Sequence, residues 1–381
     1  MKTTAAVLST MGQEGPFAET EPLERTELEL DPPGEGELLV RVRAAGLCHS
    51  DLSVITGQRP RVMPMALGHE AAGEVVEAGS QGSEFSPGDH VVLAFVPACG
   101  QCDFCRSSRP ALCVPAAAAN NEGTLLGGGI RLHDDAGSQV HHHLGVSAFS
   151  DHIVVSERSA VKVPGDLEFE IAALFGCAVL TGAGAVFNTA ASALPAESVA
   201  VFGLGGVGLA ALLAARAQGA KQIIAVDRVE SKLKLARDLG ATETLNAASG
   251  DPGPGEIATR IKELAGGGTR LALETVGNEK VLAEAYAATG RGGTTVTAGL
   301  PFPDRMLQIR ALSLVAEERT LKGSYLGSSV PSRDIPRFIE MYRAGDLPVD
   351  RLLSDRLKPD EINYGFDRLA SGEAVRQVAL F

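Results

Sequence analysis

"VAVFGLGGVGLAALLAARAQGA", residues 199–220, joins an apolar valine-rich run to an alanine-rich run through a turn with glycines at 203, 205 and 208. The pattern predicts a strand, a tight turn and a helix. In such a turn the first glycine permits the bend, the second lets backbone approach a pyrophosphate, and the third allows close helix–strand packing. Gly203, Gly205, Gly206, Val207 and Gly208 are therefore candidate cofactor contacts, although a tight turn without a ligand could use the same spacing. Nineteen residues after Gly208, at the end of "QIIAVD", stands Asp227. A carboxylate there accepts hydrogen bonds from an adenosine ribose and repels a ribose phosphate, which favours NAD over NADP. Arg228 follows it and could tolerate the phosphate, but the acid at the strand end dominates.

Strands and helices alternate onward from this turn. "QIIAVD" reads as a strand, "VESKLKLARDLGA" as a helix, and "LALETVG" and "GGTTVTAGL" as strands, which predicts parallel βαβ units in a doubly wound sheet. The first third differs: "AAVLST", "ELLVRVRAAG", "AAGEVVEAG" and "GDHVVLAFV" are valine-rich runs bounded by turn residues, a β-rich domain. Between them "EIAALFGCAVLTGAGAVFNTA" reads as helical and holds a domain boundary. In the tail, "RDIPRFIEMYRAG" and "DEINYGFDRLASG" read as helices and "RQVALF" as a closing strand. "ASGDPGPGE", residues 248–256, is a surface loop by composition.

A chain of 381 residues with 45% hydrophobic content implies two domains in an α/β class. Its formal charge of −13 argues against a nucleic-acid partner. No basic, apolar leader and no long apolar run appear, so the expected location is cytoplasmic, with no membrane association.

In a reducing compartment, clustered cysteines indicate metal rather than disulfides. Cys99, Cys102, Cys105 and Cys113 follow C-x2-C-x2-C-x7-C spacing, and four thiolates fill a tetrahedral zinc shell, making that site structural. A nucleic-acid-gripping zinc ribbon and an iron–sulfur cluster are the competing readings; acidity weakens the first and the missing Cys-Pro ending the second. Cys48, His69 and Cys177 each read singly as core residues. Together they offer two thiolates and an imidazole, a zinc site with an open fourth position. The run His141, His142, His143 resembles a metal motif, but neighbours on a strand point opposite ways, so it is read as surface or as support behind a ligand.

These motifs, "GLCHSDL", "GHE", the four-cysteine lobe, "GCAVLTG", "GLGGVG" and "SGEAVRQVALF", resemble the zinc-dependent medium-chain alcohol dehydrogenases over essentially the whole chain. The resemblance implies a GroES-like β-rich catalytic domain at 1–178, a Rossmann dinucleotide-binding domain at 179–325, and a return to the catalytic domain at 326–381. It implies NAD and two Zn2+ per subunit, with Cys48, His69 and Cys177 on the catalytic ion and the lobe on the structural one. Glu70 lies just behind the catalytic ion, and Asp51 orients His69. His49 and Arg376 match pyrophosphate contacts, Lys232 a ribose contact, Thr181 a residue near the nicotinamide, and Phe95 a substrate-pocket aromatic. Ser50 matches the residue that takes the alcohol's proton, while Ser53 stands where many relatives end the relay with histidine. The implied reaction is oxidation of a primary or aryl alcohol to an aldehyde, or of a secondary alcohol to a ketone, with hydride transfer to NAD. The long stretch over residues 113–149 resembles an insertion of dimeric members and implies a homodimer joined through the dinucleotide domains. A thiol-adduct formaldehyde dehydrogenase, acting on the glutathione or mycothiol adduct, looks similar and also has both zinc sites, but its anionic substrate should need basic residues lining the pocket. A non-catalytic NADPH-binding protein of the same fold would lack the Cys48, His69 and Cys177 set.

Overall fold

The structure, a computed structural model, describes residues 1–250 and 252–381. Contacts divide it into two compact units. One comprises residues 1–177, 330–336 and 353–381; the other comprises residues 178–329 and 337–352. The tail expected to return as one piece from 326 is thus split, with crossing points before helix Pro331–Arg343, within that helix between residues 336 and 337, and between residues 352 and 353. Asp251, in the loop expected at 248–256, lies outside the described residues.

The first unit is built from mainly antiparallel β-structure, with Met65–Ala66 on Gln139–His142 and Leu353–Leu357 on Arg376–Leu380 paired in parallel. Strands Lys2–Leu8, Leu23–Leu30, Leu132–His133, Gln139–His142 and Met65–Ala66 close into a small barrel. A second sheet runs Ala160–Lys162, His90–Leu93, Ala71–Ala78, Glu37–Gly46, Arg376–Leu380 and Leu353–Leu357, with His152–Ser156 also on Glu37–Gly46. The valine-rich runs supply its interior: Leu38, Val40, Val42, Val75, Val91 and Leu93 are buried in one core with Leu47, Leu67 and Phe149.

The second unit is a six-stranded parallel sheet. Its order is Glu243–Asn246, Gln222–Asp227, Ser198–Phe202, Thr269–Glu274, Thr289–Thr297 and Thr320–Gly323. Residues 199–202 are all buried, as expected where helices cover both faces of a parallel sheet. The alanine-rich run forms helix Gly206–Ala217. Gly208 is required here: a Cβ would stand 1.8 Å from the Gly203 carbonyl oxygen.

The segment read as one helical stretch is broken into Phe169–Leu174 and Ala178–Gly184, followed by a π-turn over Ala185–Thr189. A close approach accompanies the break. A Cβ on Gly176 would meet the Leu93 carbonyl oxygen at 2.5 Å, so the chain lies against strand His90–Leu93 and presents Cys177 beside it. Among the described residues, no helix is long and apolar enough to cross a membrane.

Candidate metal centre and dinucleotide turn

Cys48 follows the strand Glu37–Gly46 and caps the short helix His49–Ile55; His69 and Glu70 precede strand Ala71–Ala78; Cys177 sits in the helix break. These three segments bring the Sγ atoms of Cys48 and Cys177 and a ring nitrogen of His69 within 4.8 Å of one another. His69 is completely buried, and its Nε2 has no hydrogen-bond partner. A buried imidazole nitrogen left without a partner costs free energy unless something coordinates it. Two soft thiol ligands beside it suit zinc, so the residues fit the ion expected from sequence.

Electrostatics agree. Donation from Cys177 holds the Cys48 thiol well below its usual range, helped by the charges of His69 and Arg376 and opposed by burial. The same contact, with burial, pushes Cys177 well up. Metal binding at these sulfurs as thiolates would release protons. Burial lowers His69, but the charges of Asp51 and Cys48 outweigh it and hold the ring well above the ordinary imidazole range.

Behind this set lies a buried polar layer. Asp51 is fully buried, with Oδ2 3.0 Å from His69 Nδ1 and Oδ1 3.0 Å from the Gly68 amide that donates to it. Glu70 pairs with Arg376, Oε2 to Nη2 at 2.6 Å, and Arg376 Nη1 donates to the Leu47 carbonyl at 2.9 Å. Burial pushes the Glu70 carboxyl up to about 7 against the pull of Arg376. Arg376, expected at a pyrophosphate, is itself only 4% exposed, and its Nε is left without a partner. Phe95 stands edge-on to His69, ring centroids 5.5 Å apart. Ser50 Oγ is 3.8 Å from Cys48 Sγ. Ser53 instead donates to the His49 carbonyl at 2.7 Å, so its hydroxyl proton is engaged with its own helix. His49 is exposed at the helix start.

The four-cysteine lobe forms a second set, with all sulfurs within 4.8 Å. Cys99 and Cys105 are 3.9 Å apart and Cys102 and Cys105 3.6 Å. A tetrahedron of Zn–S bonds of about 2.3 Å has edges of about 3.8 Å, so these thiols already stand at coordination spacing. The Gln101 and Cys102 amides donate to Cys99 Sγ and the Cys99 amide donates to Cys113 Sγ, supporting anionic sulfur. The Cys105 amide is the first cause that brings Cys102 down to about 6.

In the second unit Gly205 faces open space: a Cβ at this position would meet no atom within 4 Å. That opening at the helix start fits an approaching diphosphate. Asp227 accepts from the Leu204 amide through Oδ2 and from the Arg228 and Val229 amides through Oδ1, at 2.7, 2.7 and 2.9 Å. It thus ties the glycine turn to its own strand end. Lys232 is buried, and burial lowers its ammonium despite nearby Asp227. Thr181 is buried in helix Ala178–Gly184.

Sequence reasoning missed one group and left another between two readings. Glu274, buried at the end of its strand, accepts from the Val276 and Gly277 amides at 2.7 Å and from Thr297 at 2.6 Å. Thr275 next to it donates to the Phe202 and Gly203 carbonyls, bracing the glycine turn. The other group is the histidine run. His142 and His143 are buried, each about 1% exposed. His142 Nε2 accepts from the Arg131 amide at 3.0 Å, which requires a neutral ring. Burial, then the charges of His141, Arg131 and His133, push His142 down from 6.5 to about 3. Across that window the unfolded chain holds the proton and the folded chain does not, so stability is lost as pH falls from 6.5 toward 3. Urea midpoints should show His142→Gln losing less stability between about pH 7 and 5.5 than wild type; equal losses would remove His142 from the acid response.

Residues 34–165 match the alcohol dehydrogenase GroES-like domain family, and residues 206–344 match the zinc-binding dehydrogenase family. The chain is 36% identical to an S-(hydroxymethyl)glutathione dehydrogenase of Escherichia coli over 380 residues, 99% of each chain. It is 37% identical to a protein named putative alcohol dehydrogenase D of Mycobacterium tuberculosis, again over 99% of each. Benzyl alcohol dehydrogenase of Acinetobacter calcoaceticus shares the fold at a TM-score of 0.91 and 34% identity, covering 100% of this chain and 99% of that one. Identity of this level along nearly the whole length leaves one family assignment: the chain belongs to the zinc-binding alcohol dehydrogenases of the medium-chain dehydrogenase family, and is an oxidoreductase.

Proposed function

We propose that the protein oxidises a primary alcohol, with an aryl alcohol as the preferred class, to its aldehyde and passes the hydride to NAD. The observation that carries this reading is the buried set of Cys48, His69 and Cys177 with an unpartnered His69 Nε2, three candidate ligands that would leave a tetrahedral ion one open position. Zinc held there supplies a Lewis acid for an alcohol oxygen, and the nicotinamide supplies the hydride acceptor. The chain's own part is positional. Asp51 orients His69, Glu70 with Arg376 balances charge beneath the thiolates, Phe95 forms an apolar wall, and Ser50 takes the alcohol proton. The Ser53 hydroxyl donates to the His49 carbonyl and stays out of the relay, so the proton leaves Ser50 for water. An aromatic edge at His69 suits a benzylic group, and the Acinetobacter benzyl alcohol dehydrogenase is a close structural relative.

The second reading, a thiol-adduct formaldehyde dehydrogenase, is favoured by the Escherichia coli relative's name. Specificity constants for benzylic, short and long-chain alcohols against glutathione–formaldehyde and mycothiol–formaldehyde adducts decide between them. A thiol adduct preferred over every free alcohol would replace the aryl-alcohol reading.

NAD should be preferred over NADP, because the Asp227 carboxylate at the strand end would repel a ribose phosphate. Asp227→Ser should reduce that preference by about tenfold or more as the repulsion disappears and Arg228 becomes available. Since Asp227 also holds three backbone amides, NAD affinity itself should fall. Wild type using NADP as well as NAD would contradict the assignment.

The working form is a homodimer in the cytoplasm. Strand Thr320–Gly323 is an edge of the parallel sheet, and nearby Met306, Leu312 and Val315 are 79%, 75% and 79% exposed. A second copy of the chain covers that apolar segment. Sedimentation should therefore give twice the 39.5 kDa chain mass, and Leu312→Glu with Val315→Lys should halve it; a monomeric wild type would refute the dimer. Six free cysteines suit a reducing compartment.

A further inference from the structure

We infer that His143 is a positioning residue for the catalytic zinc: through Asp51 it fixes the orientation of His69 and so the tightness of metal binding. The inference rests on the Cys48, His69 and Cys177 reading above. Its basis is a buried line of three side chains. Asp51 Oδ2 is 3.0 Å from His69 Nδ1, and Asp51 Oδ1 is 3.0 Å from His143 Nδ1. All three are at most 1% exposed, and the two imidazole rings stand edge to face with centroids 5.5 Å apart. Both Nδ1 contacts are at ion-pair distance without the alignment of a full hydrogen bond. The carboxylate is therefore held between two rings and by the Gly68 amide, at 3.0 Å, instead of by one partner.

The backbone is arranged to keep His143 there. The His143 amide lies 3.3 Å from the Ala66 carbonyl, and the Phe149 and Ala148 amides donate to the Leu67 and Gly68 carbonyls at 3.0 Å. The segment carrying His143 is thus zipped to the segment that leads into His69. Between these bonds the chain makes a tight turn in which Leu144 and Ser147 have φ of 52° and 55°. Non-glycine residues in the left-handed region are unfavourable, and they persist where surrounding contacts over-determine them. Ser147 helps to do so, its Oγ accepting from the His143 amide at 3.1 Å.

A metal ion at Asp51, His69 and His143 is the competing use of the same atoms, since they also lie within 4.8 Å of one another. It would take His69 Nδ1 away from Asp51 and leave a ring bridging two ions. A carboxylate shared by two imidazoles needs no ion, because each neutral ring can present an Nδ1–H to it and leave Nε2 of His69 for the thiolate site. Supporting residues of this kind tune how tightly a ligand holds its ion.

The test follows zinc release from the full-length protein to a chromogenic chelator, with melting temperature recorded for each variant. The release phase absent from Cys177→Ser identifies the catalytic zinc; if Cys177→Ser keeps both phases, the site reading itself fails. With that phase identified, His143→Leu should release it about 10- to 100-fold faster and leave the lobe phase unchanged. His143→Asn, whose amide nitrogen falls near the Nδ1 position, should stay within about threefold of wild type, while His143→Gln, one bond longer, should resemble His143→Leu. In an Asp51→Ala background His143→Leu should add nothing, because its effect passes through Asp51. Wild-type release from His143→Leu, or full additivity with Asp51→Ala, overturns the proposal. Should either of those variants not fold, equal release from the Asn and Gln variants overturns it instead.

Discussion

Replacing Cys177 by serine is expected to lower turnover by about 1,000-fold or more while the melting temperature moves by only a few degrees. In the proposed site Cys177 is one of only three candidate ligands, with a position left for substrate, so no spare ligand would replace it. A serine hydroxyl ionises far less readily than a thiol and is a harder ligand. Loss of the Lewis acid removes several kcal/mol of charge stabilisation, and each 1.4 kcal/mol is about a factor of ten in rate. The surrounding core of Ala172, Leu174 and Ala178 stays buried around a side chain of nearly the same shape, which is why stability should change little. Metal analysis should then find about one zinc per subunit. Wild-type turnover in this variant would place the chemistry elsewhere.

Cys102→Ser is expected to act the opposite way, with a lower melting temperature by roughly 10 °C or more and one zinc lost. The lobe has little core of its own: Asp103–Arg106 contains no buried residue, and only Pro110 and Ala111 are buried in the following turn. What would order it is a metal held by the four clustered sulfurs, of which Cys102 and Cys105 stand 3.6 Å apart. Losing one thiolate therefore unties a segment that packing cannot hold. Enzyme that remains folded should keep its turnover number within about twofold, because the open site shares no ligand with the lobe. Thermal scans with zinc assays check both halves; a large loss of turnover without loss of stability would reverse the assignment of the two sites.

Cys48, His69 and Cys177, far apart in sequence, are legible as a set only in conjunction and through the family resemblance, whereas the four-cysteine lobe is legible in its spacing. The glycine turn is legible for a similar reason, since Gly208 serves a contact that no side chain permits. Less is legible where tertiary contacts decide. The break before Cys177 depends on how closely Gly176 approaches the Leu93 carbonyl, and nothing in an alanine-rich run marks that distance. His143 is one of three consecutive histidines whose alternate directions the sequence does not assign. Its burial against Asp51 follows from a left-handed turn at Leu144 and Ser147, residues whose identity does not announce a positive φ. Glu274 reads as an ordinary strand residue, because its partners are backbone amides of a loop that sequence does not locate. The split of the tail within one continuous helix likewise has no compositional signal.

Deuterium transfer is the most direct measurement of the central claim. Protein carrying two zinc ions per subunit is incubated with NAD and α-dideuterated benzyl alcohol, and the reduced cofactor is isolated. The account predicts benzaldehyde and reduced nicotinamide in equal amounts, with one deuterium on the nicotinamide ring, and formation of both about 1,000-fold or more slower with Cys177→Ser. Fully zinc-loaded protein that yields no reduced cofactor from this alcohol, from any other alcohol or from a thiol–formaldehyde adduct would contradict it.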